Sequence, residues 1–135
     1  MCNLKYRYLN YNKLQYLNPY TFRESVNLKD IYLDRNKLHY LHPDTFLRLP
    51  NILVVNLGYN NGLKIPTDRN FINSYSLPRL DTSYCNVSSV SVEIFANVSA
   101  LERLDLCDNN LRTIDINILT ALPKLSTRYL YGNQL

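Results

Sequence analysis

Glycine, cysteine and histidine are scarce in this sequence, and tryptophan is absent. The 135 residues include three glycines, three cysteines and two histidines. So few glycines form no loop that could hold a phosphate, and no pair of cysteines or histidines has the spacing of a metal site. The two histidines, His39 and His42, have no serine or cysteine beside them in a triad-like arrangement. We therefore predict that the chain is not an enzyme and binds neither a metal nor a cofactor.

Long hydrophobic runs are also missing. The longest is Ile52–Val55, whereas a membrane helix needs roughly 18 consecutive apolar residues. The beginning of the chain, MCNLKYRYLN, is polar and lacks the apolar stretch of a secretory signal. The net charge is +4, but the lysines and arginines form no continuous basic stripe of the kind that binds nucleic acid. We predict no membrane insertion within this chain and no nucleic-acid partner.

A regular spacing of leucines is what the sequence does contain. Hydrophobic residues make up 46% of the chain, which is enough for one continuous core. One pattern recurs at intervals of 24, 24, 28, 21 and 24 residues, with its first positions at Leu4, Leu28, Ile52, Leu80, Leu101 and Leu125. The second copy shows it in full, as Leu28, Ile31, Leu33, Asn36, Leu38, Leu41, Phe46 and Leu49. An asparagine column runs through Asn12, Asn36, Asn60, Ser88, Asn109 and Asn133, and a return-arc column through Phe22, Phe46, Phe71, Phe95 and Leu119.

Each copy predicts one short strand followed by a turn. Leu104 and Leu106 alternate as in a strand, but the gaps to Leu101 and Leu111 are too wide for the alternation to continue. The inward positions of one copy are covered only by the next copy, so no repeat is stable alone. An asparagine after the strand can donate to and accept from the backbones of neighbouring copies. Ser88 can do this only in part.

These copies resemble leucine-rich repeats of the 24-residue type with a phenylalanine in the return arc. That type is typical of extracellular animal proteins such as Toll-like receptor ectodomains, Slit-like guidance proteins and insect acid-labile-subunit-like proteins. The resemblance implies an α/β fold, a curved solenoid of about six repeats with short parallel strands on its concave face and loops and short helical turns on its convex face. It also implies an extracellular location, in a secreted protein or a receptor ectodomain. Residues 1–135 are expected to form a single solenoid domain, as a piece of a longer one without its terminal caps.

Residues between the inward positions project to the opposite, concave face. At the third position of successive copies they are Tyr6, Asp30, Val54, Thr82, Arg103 and Thr127, at the fifth Tyr8, Tyr32, Asn56, Tyr84, Asp105 and Tyr129, and at the seventh Asn10, Asp34, Gly58, Asn86, Cys107 and Tyr131. Tyrosine combines a large apolar ring with a polar tip and is enriched at protein interfaces. We therefore predict a ligand-binding face formed by Tyr6, Tyr8, Asp30, Tyr32, Asp34, Asn56, Tyr84, Arg103, Asp105, Tyr129 and Tyr131. Tyrosines that merely stack and support one another are the structural alternative.

Two functional classes remain open. In the first, the concave face of an extracellular receptor, immune or adhesion protein recognises a protein or peptide ligand. In the second, the repeats form a structural or oligomerisation scaffold without a dedicated ligand site. A homodimer or a heterodimer is compatible with both classes.

The cysteines and two NVS sequons bear on the compartment. Cys85 is predicted at an inward position and Cys107 as an exposed thiol on the concave face, so no disulfide is expected between them. Cys2 is interpreted as an isolated thiol or a remnant of a cap. The sequons predict glycosylation at Asn86 and Asn97. Asn97 falls in the return arc, whereas a glycan on Asn86 would obstruct the concave face.

Two features depart from the regular pattern. Arg7 and Arg128 occupy inward positions where other copies carry Ile31 or Leu104. Because a buried unpaired charge costs several kcal/mol, they are either polar end surfaces whose side chains reach water or substitutions in an altered sequence. The segment GYNNGLKIPTDRNFINSYSLPR is predicted as a loop excursion, either functional or simply tolerated.

Overall fold

The computed structural model describes residues 3–135, apart from the side chain of Leu119, and Cys2 therefore lies outside the described residues. The chain forms one parallel sheet whose strands are hydrogen-bonded in sequence order. They are β1 (Tyr6–Tyr8), β2 (Asp30–Tyr32), β3 (Val54–Asn56), β4 (Arg79–Asp81), β5 (Arg103–Asp105) and β6 (Thr127–Tyr129). The predicted solenoid of stacked short strands is confirmed.

Each strand is short because the backbone turns shortly after it. The turn residue adopts a positive φ, between 51° and 69°, at Tyr11, Arg35, Tyr59, Tyr84, Asp108 and Gly132. This left-handed conformation cannot continue a strand. The return segments contain 3-10 turns at Pro43–Phe46 and Val92–Phe95 and a short helix, α1 (Ile118–Ala121). The Pro43–Phe46 turn is capped by the side chain of His42, whose Nδ1 accepts from the N–H of Asp44.

The register of the fourth repeat differs from the prediction. Leu80 pairs with Val55 and with Leu104, so it holds the fourth position of its repeat, and the repeat begins at Leu77. The predicted start at Leu80, and with it the intervals of 28 and 21 residues, is wrong. The first positions are separated by 24, 24, 25, 24 and 24 residues, at Leu4, Leu28, Ile52, Leu77, Leu101 and Leu125. The predicted loop excursion therefore shrinks to a single extra residue.

The core lies between the sheet and the return segments. Ile31, Leu33 and Val55 from the strand side of the repeats are completely buried. The predicted phenylalanine column is buried on the opposite side, through Phe22, Phe46, Phe71 and Phe95. The rings of Phe22 and Phe46 are stacked with their centroids 5.9 Å apart. Each repeat therefore covers the apolar side chains of the next one, as a solenoid requires.

An asparagine ladder joins successive turns. The Nδ2 of Asn60 donates to the carbonyl oxygens of Leu33 and Leu57, at 3.1 and 2.7 Å, and its Oδ1 accepts from the N–H of Leu38 at 3.0 Å. The same arrangement occurs at Asn36, Asn109 and Asn133. These bonds satisfy backbone groups that the turns leave without partners. The predicted role of the asparagine column is thereby confirmed.

Cys85, and not Ser88, occupies the ladder in the fourth repeat. Its Sγ lies 3.2 Å from the carbonyl oxygen of Leu57, which corresponds to the bond that Asn60 makes to Leu33. Ser88 is exposed, so its predicted place in the asparagine column is wrong. Cys85 is buried as predicted, but in a turn instead of a strand.

Arg7 and Arg128 are both exposed, although each is paired with an apolar inward residue of the neighbouring strand. Arg7 is opposite Ile31 in the register, and Arg128 is opposite Leu104. Both arginines lie on the outermost strands of the described sheet, β1 and β6, where no further strand covers them. Their side chains reach water, so neither charge carries the cost of burial.

Candidate functional site

The strand residues between the inward columns form one continuous concave face. The strand register aligns Tyr6, Asp30, Val54, Arg79, Arg103 and Thr127 in one column and Tyr8, Tyr32, Asn56, Asp81, Asp105 and Tyr129 in the next. Of the predicted site residues, all except Tyr84 are brought to this face or, for Asp34 and Tyr131, to the strand ends beside it. Their role in binding stays a prediction.

The fourth repeat contributes different residues from those predicted. Thr82 is fully buried, and its Oγ1 donates to the carbonyl oxygen of Asp105. Tyr84 and Asn86 lie beyond the strand, both with positive φ. The placement of these three residues on the concave face is wrong, and Arg79 and Asp81 lie there instead. Hydrophobic spacing missed the two because Thr82 and Cys85 hold inward positions that leucine and asparagine occupy elsewhere.

Three tyrosines form an exposed aromatic cluster on the first two strands. The rings of Tyr8 and Tyr32 are stacked with centroids 5.2 Å apart and planes within 6° of each other. Tyr6 lies beside Tyr8 at 6.5 Å. Tyr6 is 47% exposed and Tyr8 is 69% exposed, so much of this ring surface faces water. Partial burial and then the neighbouring Asp30 carboxylate raise the pKa of Tyr32, which keeps its hydroxyl protonated.

The polar residues at the middle of the face are partly committed to the backbone. The Oδ1 atoms of Asn56, Asp81 and Asp105 accept from the N–H groups two residues later, at 2.9, 2.8 and 3.0 Å. These side chains fold over the strand ends so closely that a Cβ on Gly58 would lie 2.9 Å from the Oγ of Ser83. Each acid keeps a second oxygen for a ligand.

Two arginines lie side by side on the same face. Arg79 and Arg103 are register partners in adjacent strands, and both are exposed. Arg103 is stacked over the ring of Tyr129, with its Cζ 4.5 Å from the centroid. Within residues 3–135 the ion pair found is Arg23–Glu24, at 3.8 Å, so neither concave arginine is paired to a carboxylate. The second half of the face therefore presents cationic hydrogen-bond donors.

Cys107 is buried and is not the exposed thiol that the sequence predicted. Only 1% of its surface is accessible, because the side chains of Asp105 and Tyr131 lie against it. Burial first, and then the bond to Asp105, raise the pKa of the Cys107 thiol to about 12. Cys85 is equally buried, and desolvation raises the pKa of its thiol to about 12. Both cysteines are free thiols, held in the protonated form that reacts slowly.

The two sequons differ in their surroundings. Asn86 lies on an exposed turn, and its Oδ1 accepts from the Nδ2 of Asn110. Asn97 is half-buried on the return side, where its Nδ2 donates to the Oδ1 of Asn73 at 2.8 Å. The structure thus leaves the amide nitrogen of Asn86 more accessible than that of Asn97. Because Asn86 lies past the strand, a glycan there would not stand on the concave face.

Metal-binding and membrane-spanning features were also sought in the described part of the chain. Its histidine, cysteine and acidic side chains form no group of three or more that could hold a metal ion. None of its helices is long and apolar enough to cross a bilayer.

Two family models match the sequence. The leucine-rich repeat model matches residues 75–135, and the model of the BspA-type leucine-rich repeat region matches residues 1–62. Between them, the two matches include all of the strands from β1 to β6. A search of the curated proteins found no match.

Solved structures of similar fold include a chain of the Toll–Spätzle complex, described as a molecular hub in Drosophila development and innate immunity. That chain superimposes with a TM-score of 0.78 at 17% identity, over 91% of this chain and 16% of its own length. The leucine-rich repeat domain of APL1 superimposes with a TM-score of 0.64 at 24% identity, over 94% of this chain and 33% of its own length. This chain thus spans a minor part of either relative.

Leucine-rich repeat domains are typically protein-interaction modules and are generally non-enzymatic, since their stacked repeats create extended concave surfaces. The registered repeats, their asparagine ladder and the two matching models together show that the chain belongs to the leucine-rich repeat family.

Proposed function

We propose that the chain is a non-catalytic recognition module that binds a protein or peptide ligand on its concave face. The observation that carries this proposal is the exposed aromatic cluster of Tyr6, Tyr8 and Tyr32 on a sheet face that no other element covers. Exposed rings in contact with one another lose little rotamer freedom on binding and bury a large area. Such rings are typical anchors of protein interfaces.

The chemistry of the rest of the face supports a partner with both apolar and acidic groups. The tyrosines provide apolar area at one end, while Arg79 and Arg103 provide unpaired guanidinium groups further along. Tyrosine and arginine are the residues most enriched at the centres of protein interfaces. Asp81 and Asp105, next to the arginines, each offer a free carboxylate oxygen that fixes the register of a partner by repelling its acids.

An extracellular setting is part of the same proposal. It is supported by the accessible sequon at Asn86 and by the resemblance in fold to a chain of the Toll–Spätzle complex. The predicted roles in a receptor, in immunity or in adhesion depend on the ligand that the concave face selects.

A structural scaffold is the second candidate, and one observation favours it. An apolar cleft opens beside β6, lined by Leu104, Ile114, Ile118, Leu125 and Leu130. Leu125 and Leu130 are only half-buried there. A second copy that covered this cleft would bury their remaining apolar surface.

The experiment compares two pairs of tyrosines from the same two repeats. The test variant replaces Tyr8 and Tyr32 by serine, and the control variant replaces Tyr16 and Tyr40, which are 65% and 51% exposed beyond the asparagine turns. Immobilised wild-type and variant chains are incubated with extracellular fluid, and the captured proteins are quantified by mass spectrometry. We expect a specific partner to be retained by the control and depleted about tenfold or more by the test variant.

Equal capture by the two variants would remove the concave face from the mechanism. Light scattering over a range of chain concentrations then addresses the scaffold. Self-association that persists in the Tyr8/Tyr32 variant but is lost in Leu130→Gln would favour the second candidate.

A further inference from the structure

A second column of side chains runs beside the concave face, on the residues that precede each member of the asparagine ladder. We call it the rim column, and it consists of Tyr11, Arg35, Tyr59, Tyr84 and Asp108. These residues share a positive φ between 51° and 57°, so their side chains leave successive turns in the same direction. They lie over one another as a surface separate from the concave tyrosines.

The faces of the central members are covered by their neighbours. The Cζ of Arg35 lies 5.1 Å from the ring centroid of Tyr11 and 3.9 Å from that of Tyr59. The rings of Tyr59 and Tyr84 are stacked, with centroids 4.1 Å apart and planes within 10° of each other. Arg35 is therefore held between two rings, and the groups left free are its N–H edge and the phenolic hydroxyls.

The rim column is cationic in its first two repeats. Lys13 and Lys37 occupy equivalent positions of adjacent turns, both exposed, and Arg35 lies in the turn of Lys37. Within residues 3–135, no carboxylate comes within ion-pair distance of these three groups, Asp34 next to Arg35 included. Three unpaired cations beside a column of stacked rings favour an anionic occupant.

We propose that the rim column docks an acidic segment of a protein partner, with a carboxylate held on the N–H edge of Arg35. A guanidinium presents parallel donors that match a carboxylate, and the flanking rings fix its plane before binding, which lowers the entropic cost. A nucleic-acid strand fits less well, because bases need free aromatic faces on which to stack. The faces of Arg35 and Tyr59 are already covered.

The test uses a fluorescently labelled oligo-glutamate peptide, titrated with the chain at low ionic strength and followed by fluorescence anisotropy. We expect Arg35→Gln to weaken binding about tenfold. Arg103→Gln is the matched control, since it removes the same charge from an exposed arginine that is also stacked on a tyrosine, but on the concave face. Arg35→Lys keeps the charge but not the planar fork, so we expect it to weaken binding several-fold. Circular-dichroism melting confirms that each variant is folded, and Tyr59→Leu, which uncovers one face of Arg35, provides a second disruption.

Equal weakening by Arg35→Gln and Arg103→Gln, or full affinity in Arg35→Lys, would overturn the proposal in favour of general charge attraction. Tighter binding of a labelled oligothymidine than of oligo-glutamate, lost in Arg35→Gln, would also overturn it, in favour of nucleic acid. Because the rim column lies apart from the concave tyrosines, either result leaves the concave-face proposal untouched.

Discussion

The Sγ atom of Cys85 lies 3.2 Å from the carbonyl oxygen of Leu57, in the place where other turns hold an asparagine amide. A thiol is a weak donor, and it lacks the amide oxygen that accepts an N–H from the preceding turn. That turn no longer presents the N–H, because Leu63 donates instead to the carbonyl oxygen of Asn60 at 2.9 Å. The extra residue of the third repeat lies between Asn60 and Leu63, so the missing acceptor and the changed turn occur together.

This difference predicts unequal costs for two alanine substitutions in the ladder. Asn60→Ala removes three hydrogen bonds and leaves buried backbone groups without partners, so it should lower the free energy of unfolding by about 2–4 kcal/mol. Cys85→Ala removes one weak donor and should cost about 1 kcal/mol. Urea unfolding of both variants measures the difference. Equal losses would mean that the ladder bonds contribute little.

Stability should fall in alkaline solution because of the buried thiol. Burial raises the pKa of Cys85 from 9.0 to about 12, so above pH 9 the unfolded chain loses a proton that the folded chain keeps. The contribution to stability is complete below pH 9 and is lost as the pH rises towards 12. The free energy of unfolding of Cys85→Ala should therefore decline less steeply than that of the wild type over this range. Parallel curves for the two proteins would contradict the assignment.

Adjacent residues on β2 and its end test the two faces of the sheet. Leu33 is fully buried, so Leu33→Ala should lower the free energy of unfolding by about 2–5 kcal/mol. Tyr32→Ala removes its stacking on Tyr8 without opening a cavity and should cost about 1 kcal/mol. Denaturant unfolding compares the two. If Tyr32→Ala were as damaging as Leu33→Ala, Tyr32 would belong to the core and the concave-face proposal would lose its main support.

The sequons should differ in use when the chain is expressed through a secretory pathway. Asn86 is exposed, whereas the amide nitrogen of Asn97 is engaged with Asn73 in a half-buried position. We expect a glycosidase-sensitive increase in mass that disappears in Asn86→Gln and persists in Asn97→Gln. A chain without any glycan would argue against the extracellular setting.

Much of the concave face could be predicted from the sequence because the alternation of side chains along a strand is local. Tyr6, Tyr8 and Tyr32 follow directly from the apolar positions beside them. Arg79 and Asp81 could not be placed in this way, because their repeat reads equally well from Leu77 or from Leu80. Only pairing with the neighbouring strands decides between the two.

The sequence by itself determined the repeat, the asparagine ladder and the phenylalanine column, since burial and backbone pairing demand the same residue types in every turn. Tertiary structure decided what depends on neighbouring turns. Cys107 is buried because Asp105 and Tyr131 close over it, although its own position points outward. Arg35 becomes a fixed anion-binding edge only because the turns before and after it place rings on both of its faces. Such contacts join residues about one repeat apart, so no local pattern contains them.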